Sequence, residues 1–191
     1  MAKQPMMQPP FLEGEKTRLR ALTKADISEH YLAWLNDPDV LRHRGPKAYP
    51  STLAELKCYV ESIPRRGDLV LAICERDSGR HIGNIALNTV LWIHRSAELS
   101  IMIGAKDVWG QGLGKEAIDL VTRHAFESMG LNRLWAESPN PAFNAAVKSL
   151  GWTHEGTKRQ AFLIEGRFVD MNCWSMLADE YFAARKASPK A

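Results

Sequence analysis

Cysteine is scarce in this chain of 191 residues: Cys58, Cys74 and Cys173 are odd in number and far apart. That pattern excludes a disulfide framework and a zinc site, and it predicts no metal and a reducing, cytoplasmic home. An excess of charge of one sign is also missing. Lys and Arg total 25 against 22 Asp and Glu, a net +3, so a general nucleic-acid surface is not expected. No run approaches the roughly 18 apolar residues of a membrane span, which predicts no membrane partner. Residues 1–10 lack the apolar stretch of a signal peptide and read as a loose leader. Internal repeats are absent as well. What remains is an ordinary globular composition, 45% hydrophobic and 25% charged, at a length suited to one domain.

The most informative stretch runs over 97–117. Ala97, Leu99, Ile101 and Ile103 alternate with Glu98, Ser100 and Met102, the pattern of a strand. Gly110, Gly112 and Gly114 follow, then a helical pattern with Ala117, Ile118, Val121, Ala125 and Met129 on one face, closed by Gly130. A strand, a glycine loop and a helix start make an anion site: the first-turn N–H groups lack intrahelical partners and the helix dipole is positive there. Two familiar phosphate loops do not fit. The spacing of Gly110 and Gly114 is one residue off for a P-loop, and Glu116 stands where that loop places a hydroxyl. The dinucleotide fingerprint wants glycine at 115, where this chain has Lys115.

The other segments read in order. A strand is expected over 17–22, then a helix capped by Thr23 with Asp26 three residues on, its Ile27, Tyr31, Trp34 and Leu35 sharing a face. Asn36-Asp37-Pro38 ends it and starts another turn. Thr52 with Glu55 opens a helix whose Leu53, Leu56, Val60 and Ile63 face inward, and a turn is expected at 64–68. Strands follow over 69–74 and 82–87 around an Asp77-Ser78-Gly79 turn, and 92–95 connects to the central strand. After the 114–129 helix come a strand at 133–137, a helix ending near 150–151, two strands over 152–169 and a closing helix over 178–186. The plan is α+β with a mixed, mostly antiparallel sheet flanked by helices.

The loop resembles the acyl-CoA loop of the GNAT superfamily of N-acetyltransferases. Trp109-Gly110-Gln111-Gly112-Leu113-Gly114-Lys115-Glu116-Ala117 is similar to its ribosomal-protein N-terminal (Rim-type) branch, with Trp109 in the place of the superfamily's Gln or Arg. A second run, from Asn140-Pro141 through Leu150-Gly151-Trp152 to Glu155-Gly156, resembles the same branch. There Phe143 replaces a Ser and Trp152 a Phe. Gly166-Arg167-Phe168-Val169-Asp170, Leu19-Arg20-Ala21-Leu22 and Trp34-Leu35-Asn36-Asp37-Pro38 fit as well. The resemblance covers roughly 17–182, leaving 1–16 as leader and 183–191 as tail.

What the resemblance implies is a single domain whose splayed central strands form an acyl-CoA cleft. Acetyl-CoA would be held by the backbone of Met102 and Ile103, by Val108, Trp109, Gly110, Gln111, Gly112, Leu113, Gly114 and Lys115, and by Asn140. The acceptor is a primary amine, in a monomer or homodimer. Such an amine has a pKa of about 8 to 10 and must lose a proton before it attacks, so a base is useful at neutral pH. Glu98 is the expected base; a structural pairing with Arg95 is the competing reading. The backbone N–H of Met102 or Ile103 would hold the thioester oxygen. The superfamily's Tyr acid is absent, its place taken by Val147, with Ser149, Asn140 or water as substitutes. Trp34, Arg42 and Arg44 are expected on the acceptor side. Arg42-His43-Arg44 with Lys47 and Arg65-Arg66 would suit an anionic acceptor, such as an acidic peptide or a nucleotide-linked amino sugar, better than a polyamine. A module that binds acyl-CoA without catalysis and a plain structural domain are the alternatives from other classes.

Overall fold

The computed structural model describes residues 9–45 and 49–187. Eight strands form one sheet in the order β1-β2-β3-β4-β5-β6-β8-β7. They are β1 (Leu12–Glu13), β2 (Thr17–Ala21), β3 (Leu69–Glu75), β4 (His81–Leu91), β5 (Ser96–Ile103), β6 (Arg133–Ser138), β7 (Thr153–Ile164) and β8 (Arg167–Leu177). Every pairing is antiparallel except β5 with β6. The helices are α1 (Glu29–Trp34), α2 (Pro38–Leu41), α3 (Leu53–Arg66), α4 (Leu113–Glu127), α5 (Pro141–Ser149) and α6 (Ala178–Ala187).

Both faces of β5 are covered. A Cβ on Gly104 would fall 2.0 Å from the Trp34 ring, which puts α1 beside the even-numbered face. Gly114 of α4 lies instead against Ile103 and Ile101, on the odd-numbered face. The core runs along this sandwich through Leu19, Ile73, Ile85, Leu87, Leu99, Ile118, Val121 and Leu134, all 3% exposed or less.

Several expectations change in detail. The helix capped by Thr23 is only a 3-10 turn over Lys24–Asp26; the chain goes extended at Ile27, and Ser28 caps α1 afresh by accepting from the Tyr31 N–H. The capping box of Thr52 and Glu55 is present. Leu53, in the first turn, is exposed, because the helix begins beyond the edge of the core. Pro64 does not break α3. It sits in the last turn, and the stop falls at Gly67, which takes the left-handed conformation (φ 73°). Residues 12–13, expected in a loose leader, pair with Leu19 and Arg18 as an edge strand, and α6 runs through Ala187, into the expected tail.

A polar anchor sits under β2. Asp26, 7% exposed, accepts from Arg20 at 2.6 and 2.9 Å and from the Thr23 N–H at 2.8 Å. His81 stands beside it, its Nδ1 3.9 Å away. This cluster fixes the 3-10 turn and hence the approach of α1 to β5.

Candidate active site

The strands β5 and β6 run parallel for three register pairs, Ser96 with Arg133, Ala97 with Leu134 and Glu98 with Trp135, and then part. The gap opens into a cleft of about 900 Å³, bounded by β5, the glycine loop, α5, the end of β6 and the segment after α2. The parting leaves one edge of β5 without a strand partner. Backbone groups alternate sides along a strand, so neighbours point oppositely. Gly104 donates its N–H to Ile82 of β4, whereas the Ile101 carbonyl accepts from Arg44 Nη1 (2.7 Å) and the Ile103 carbonyl from Trp109 Nε1 (3.0 Å). The N–H groups of Ile101 and Ile103 therefore face the cleft, and that of Met102 faces β4. Of the two expected backbone donors, only the Ile103 N–H is turned to the cleft; Met102 lines the cleft but turns its N–H to β4.

The glycine loop delivers the second set of donors. α1, α2, α3 and α5 are capped by the side chains of Ser28, Asp37, Thr52 and Asn140. α4 is the longest helix among the described residues, yet its N-cap is Gly112 and no side chain caps it. Its first-turn N–H groups are left to the cleft, which Gly112, Leu113, Gly114 and Lys115 line. Gly110 (φ 76°) and Gly112 (φ 84°) occupy left-handed backbone that a side chain would strain. Trp109 latches the loop to the end of β5 through its indole N–H. Lys115 is exposed and has no hydrogen-bond or ion-pair partner among the described residues. Gln111 lies outside the cleft wall, its Nε2 donating to the Asp107 carbonyl at 2.9 Å.

Glu98 is the last paired residue before the strands part, at the apex of the gap. It is half-buried, lines the cleft, and has no hydrogen-bond or ion-pair partner among the described residues. The alternative pairing with Arg95 does not occur, since Arg95 Nε donates to the Gly130 carbonyl at 2.8 Å. Burial, helped by the charge of Glu137, pushes the Glu98 carboxyl above its ordinary value. Glu137 itself is held by Lys158 at 2.5 and 2.7 Å. Nothing in the sequence alone marks Glu137 beyond its place on the strand after the glycine-loop helix; the parallel pairing sets Trp135 opposite Glu98 and so brings Glu137, two residues on, near it.

The expected acceptor side is partly corrected. Trp34 is 4% exposed and packs on Tyr31 and His81, so it is core and no substrate contact. Arg42 lines the cleft but pairs with Glu165 of the β7–β8 hairpin at 3.2 Å. Arg44 lines it too, but its guanidinium is engaged by the Ile101 carbonyl. Lys47 lies outside the described residues. Arg65 and Arg66 do not line the cleft, and Arg66 pairs with Asp68 at 2.8 Å. Val40, Phe143, Phe162 and Met171 make this end apolar, a feature the sequence pattern did not single out. Val147 is fully buried, so no acid stands there. The Ser149 hydroxyl is already donated to the Ala146 carbonyl at 2.7 Å. Ser138 Oγ accepts from the Asn140 N–H at 3.1 Å and keeps its own proton to give. Asn140 spends its side-chain oxygen on capping α5, accepting from the Ala142 N–H.

Strands that part beside an uncapped, glycine-led helix, with the unpaired Glu98 carboxylate at the apex, make a cleft that offers backbone donors to an anion and a base to an amine. The chain belongs to the acetyltransferase (GNAT) domain family, whose model matches residues 16–153. It is 27% identical over 173 residues to the uncharacterized N-acetyltransferase YoaA of Bacillus subtilis, covering 88% of this chain and 97% of that protein. The "Putative ribosomal N-acetyltransferase YdaF" of Bacillus subtilis is 30% identical over 105 residues, 54% of this chain and 57% of that one. The fold matches a crystal structure of spermidine N-acetyltransferase from Vibrio cholerae in complex with CoA and spermine, with a TM-score of 0.79 at 23% identity, over 88% of this chain and 99% of that one. The protein is thus an N-acetyltransferase with acetyl-CoA as its acyl donor. No helix among the described residues is long and apolar enough to cross a membrane.

Proposed function

We propose that the chain transfers acetyl to a molecule bearing one primary amine beside an apolar group, with a peptide or protein N-terminus as the foremost acceptor of that kind. One observation carries the reading: among the described acids of the cleft, only Glu98 lacks a cation. Asp39 is held by Lys106 and Glu137 by Lys158. One free carboxylate matches one ammonium, whereas a polyamine would bring further charges with no free acid to meet them. Arg42 and Arg44 are both engaged, which argues equally against an acceptor held by strong negative charge. The apolar wall of Phe143, Phe162 and Met171 suits a hydrophobic flank. An α-amine, with a pKa near 8, is also the amine that a carboxylate deprotonates most readily.

In this reading acetyl-CoA supplies an acetyl group already activated as a thioester. The N–H groups at the start of α4 hold its pyrophosphate, and the cleft-facing N–H of Ile103 donates to its carbonyl oxygen. Glu98 accepts a proton from the incoming ammonium, directly or through one water. The neutral nitrogen then forms the C–N bond at the thioester carbon, the C–S bond breaks, and CoA leaves as a thiolate that takes a proton from water or from the Ser138 hydroxyl on the β6 arm.

Free-thiol release with a panel of amines tests the acceptor. Apolar N-terminal peptides are expected to give a higher kcat/KM than spermidine, and the reverse order overturns the reading. CoA binding without turnover of any amine would favour the non-catalytic module. For the donor site, Gly112→Val places a β-branched residue in left-handed backbone and blocks close approach of a phosphate. It is expected to weaken acetyl-CoA binding at least tenfold, about 1.4 kcal/mol, with the fold retained. Unchanged affinity by calorimetry would move the donor elsewhere.

A further inference from the structure

The segment from Gly14 to Thr17 lies outside the cleft wall, yet it is fastened to the glycine loop. Glu116, in the first turn of α4, accepts from the Glu15 N–H (2.8 Å), the Lys16 N–H (3.1 Å) and Thr17 Oγ1 (2.6 Å). A Cβ on Gly14 would fall 2.6 Å from that carboxylate, so glycine is what lets the two approach. From the other side Arg76 donates its backbone N–H to the Lys16 carbonyl (2.9 Å) and its guanidinium to the Gly14 carbonyl (3.2 Å). The segment is a fixed platform, and from it Lys16 Nζ donates to the Gln111 carbonyl at 3.2 Å.

We propose that Lys16 is a positioning residue for the acetyl-CoA pyrophosphate, acting through the Gln111–Gly112 peptide. In a trans peptide the carbonyl and the following N–H point in opposite directions. Lys16 holds the Gln111 oxygen on the outside of the loop, which turns the Gly112 N–H inward, toward the cleft that Gly112 lines. The tether is needed because this peptide plane turns about ψ of Gln111 and φ of Gly112, and at Gly112 (φ 84°) no Cβ restricts that turn. Gly112 has no side chain with which to resist that rotation, and no side chain caps the helix it opens. Left free, the plane spends time with its oxygen toward the anion, which repels it. The inference rests on the reading of this loop as the acetyl-CoA site.

The test is binding of CoA and of dephospho-CoA to the wild type, Lys16→Met and Lys16→Arg, with kinetics and melting curves on each. Lys16→Met is expected to weaken both ligands by the same factor, about tenfold, the worth of a hydrogen bond to a charged group. It should raise the KM for acetyl-CoA while leaving kcat at saturation and the acceptor KM unchanged, and Lys16→Arg should restore most of the loss. Unchanged affinity in Lys16→Met overturns the proposal. So does a loss confined to CoA and spared in dephospho-CoA, which would mean direct contact with the 3′-phosphate. A wild type that binds CoA while Lys16→Met binds equally well defeats this proposal alone; a wild type that binds no CoA defeats the loop reading as well.

Discussion

Glu98→Gln is expected to lower kcat/KM for a good acceptor by about 10²–10⁴-fold near pH 7, the usual worth of a positioned general base. The substitution keeps the shape of the side chain and removes its ability to take a proton. Glu98 has no cation to lose and no hydrogen bond to break among the described residues, so the fold should survive, and a melting curve checks this. The pH dependence carries the diagnosis. Burial and the nearby charge of Glu137 raise the Glu98 carboxyl. The acidic limb of the wild-type profile should accordingly lie above the ordinary carboxylate range, activity falling as Glu98 takes up its proton. Glu98→Gln loses that limb. At high pH the acceptor amine is free without assistance, so the two profiles should converge. Full activity of the variant near neutral pH would make Glu98 structural and send the search for the base to water held on Glu137.

The second large effect concerns stability. Asp26→Ala is expected to destabilise the protein by about 3 kcal/mol, at the low end of the usual 3–5 for orphaning one member of a buried ion pair. The reason is that Arg20 keeps some contact with water, its side chain being 18% exposed against 5% for Asp26. The variant also loses the acceptor for the Thr23 N–H, loosening the turn that sets α1 against β5. Although burial alone would raise it, the Arg20 guanidinium and the Thr23 N–H hold the Asp26 carboxyl below its ordinary 3.8. A depressed folded-state value means that the contribution is fully present above the unfolded value and is lost as pH falls through the folded one. Denaturation curves for wild type and variant should therefore differ most at neutral pH and draw together below about pH 4. A constant gap across that range would assign the loss to packing and leave the ion pair with no role in it.

Local signals in the chain were reliable wherever a residue acts through its own backbone or its near neighbours. Thr52 with Glu55, Pro38 after Asp37, and Gly130 after the 114–129 pattern each mark a helix end by a preference that needs no tertiary partner. The glycines at 110 and 112 likewise announce backbone that a side chain would strain. The same kind of reasoning misread Pro64, which stands inside α3; the stop comes three residues later, where Gly67 takes left-handed backbone. It also misread Trp34. The helical spacing put it on a shared face with Tyr31, but the place beside Gly104 that buries it arises only when α1 meets β5.

The sequence by itself determined the α+β plan and the glycine-led start of α4, because period, turn chemistry and glycine spacing are written into consecutive residues; the candidacy of Glu98 came with the family resemblance. Only the tertiary structure decided which groups face the cleft. The side of β5 to which Ile103 turns its N–H depends on the register with β4, and Glu137 nears Glu98 only through the parallel pairing of β5 with β6. Arg42 and Arg44 look like free charges along the chain, but each finds its partner, Glu165 or the Ile101 carbonyl, more than fifty positions away. Pairings at that separation are set by how the layers close on one another, and no local preference encodes them.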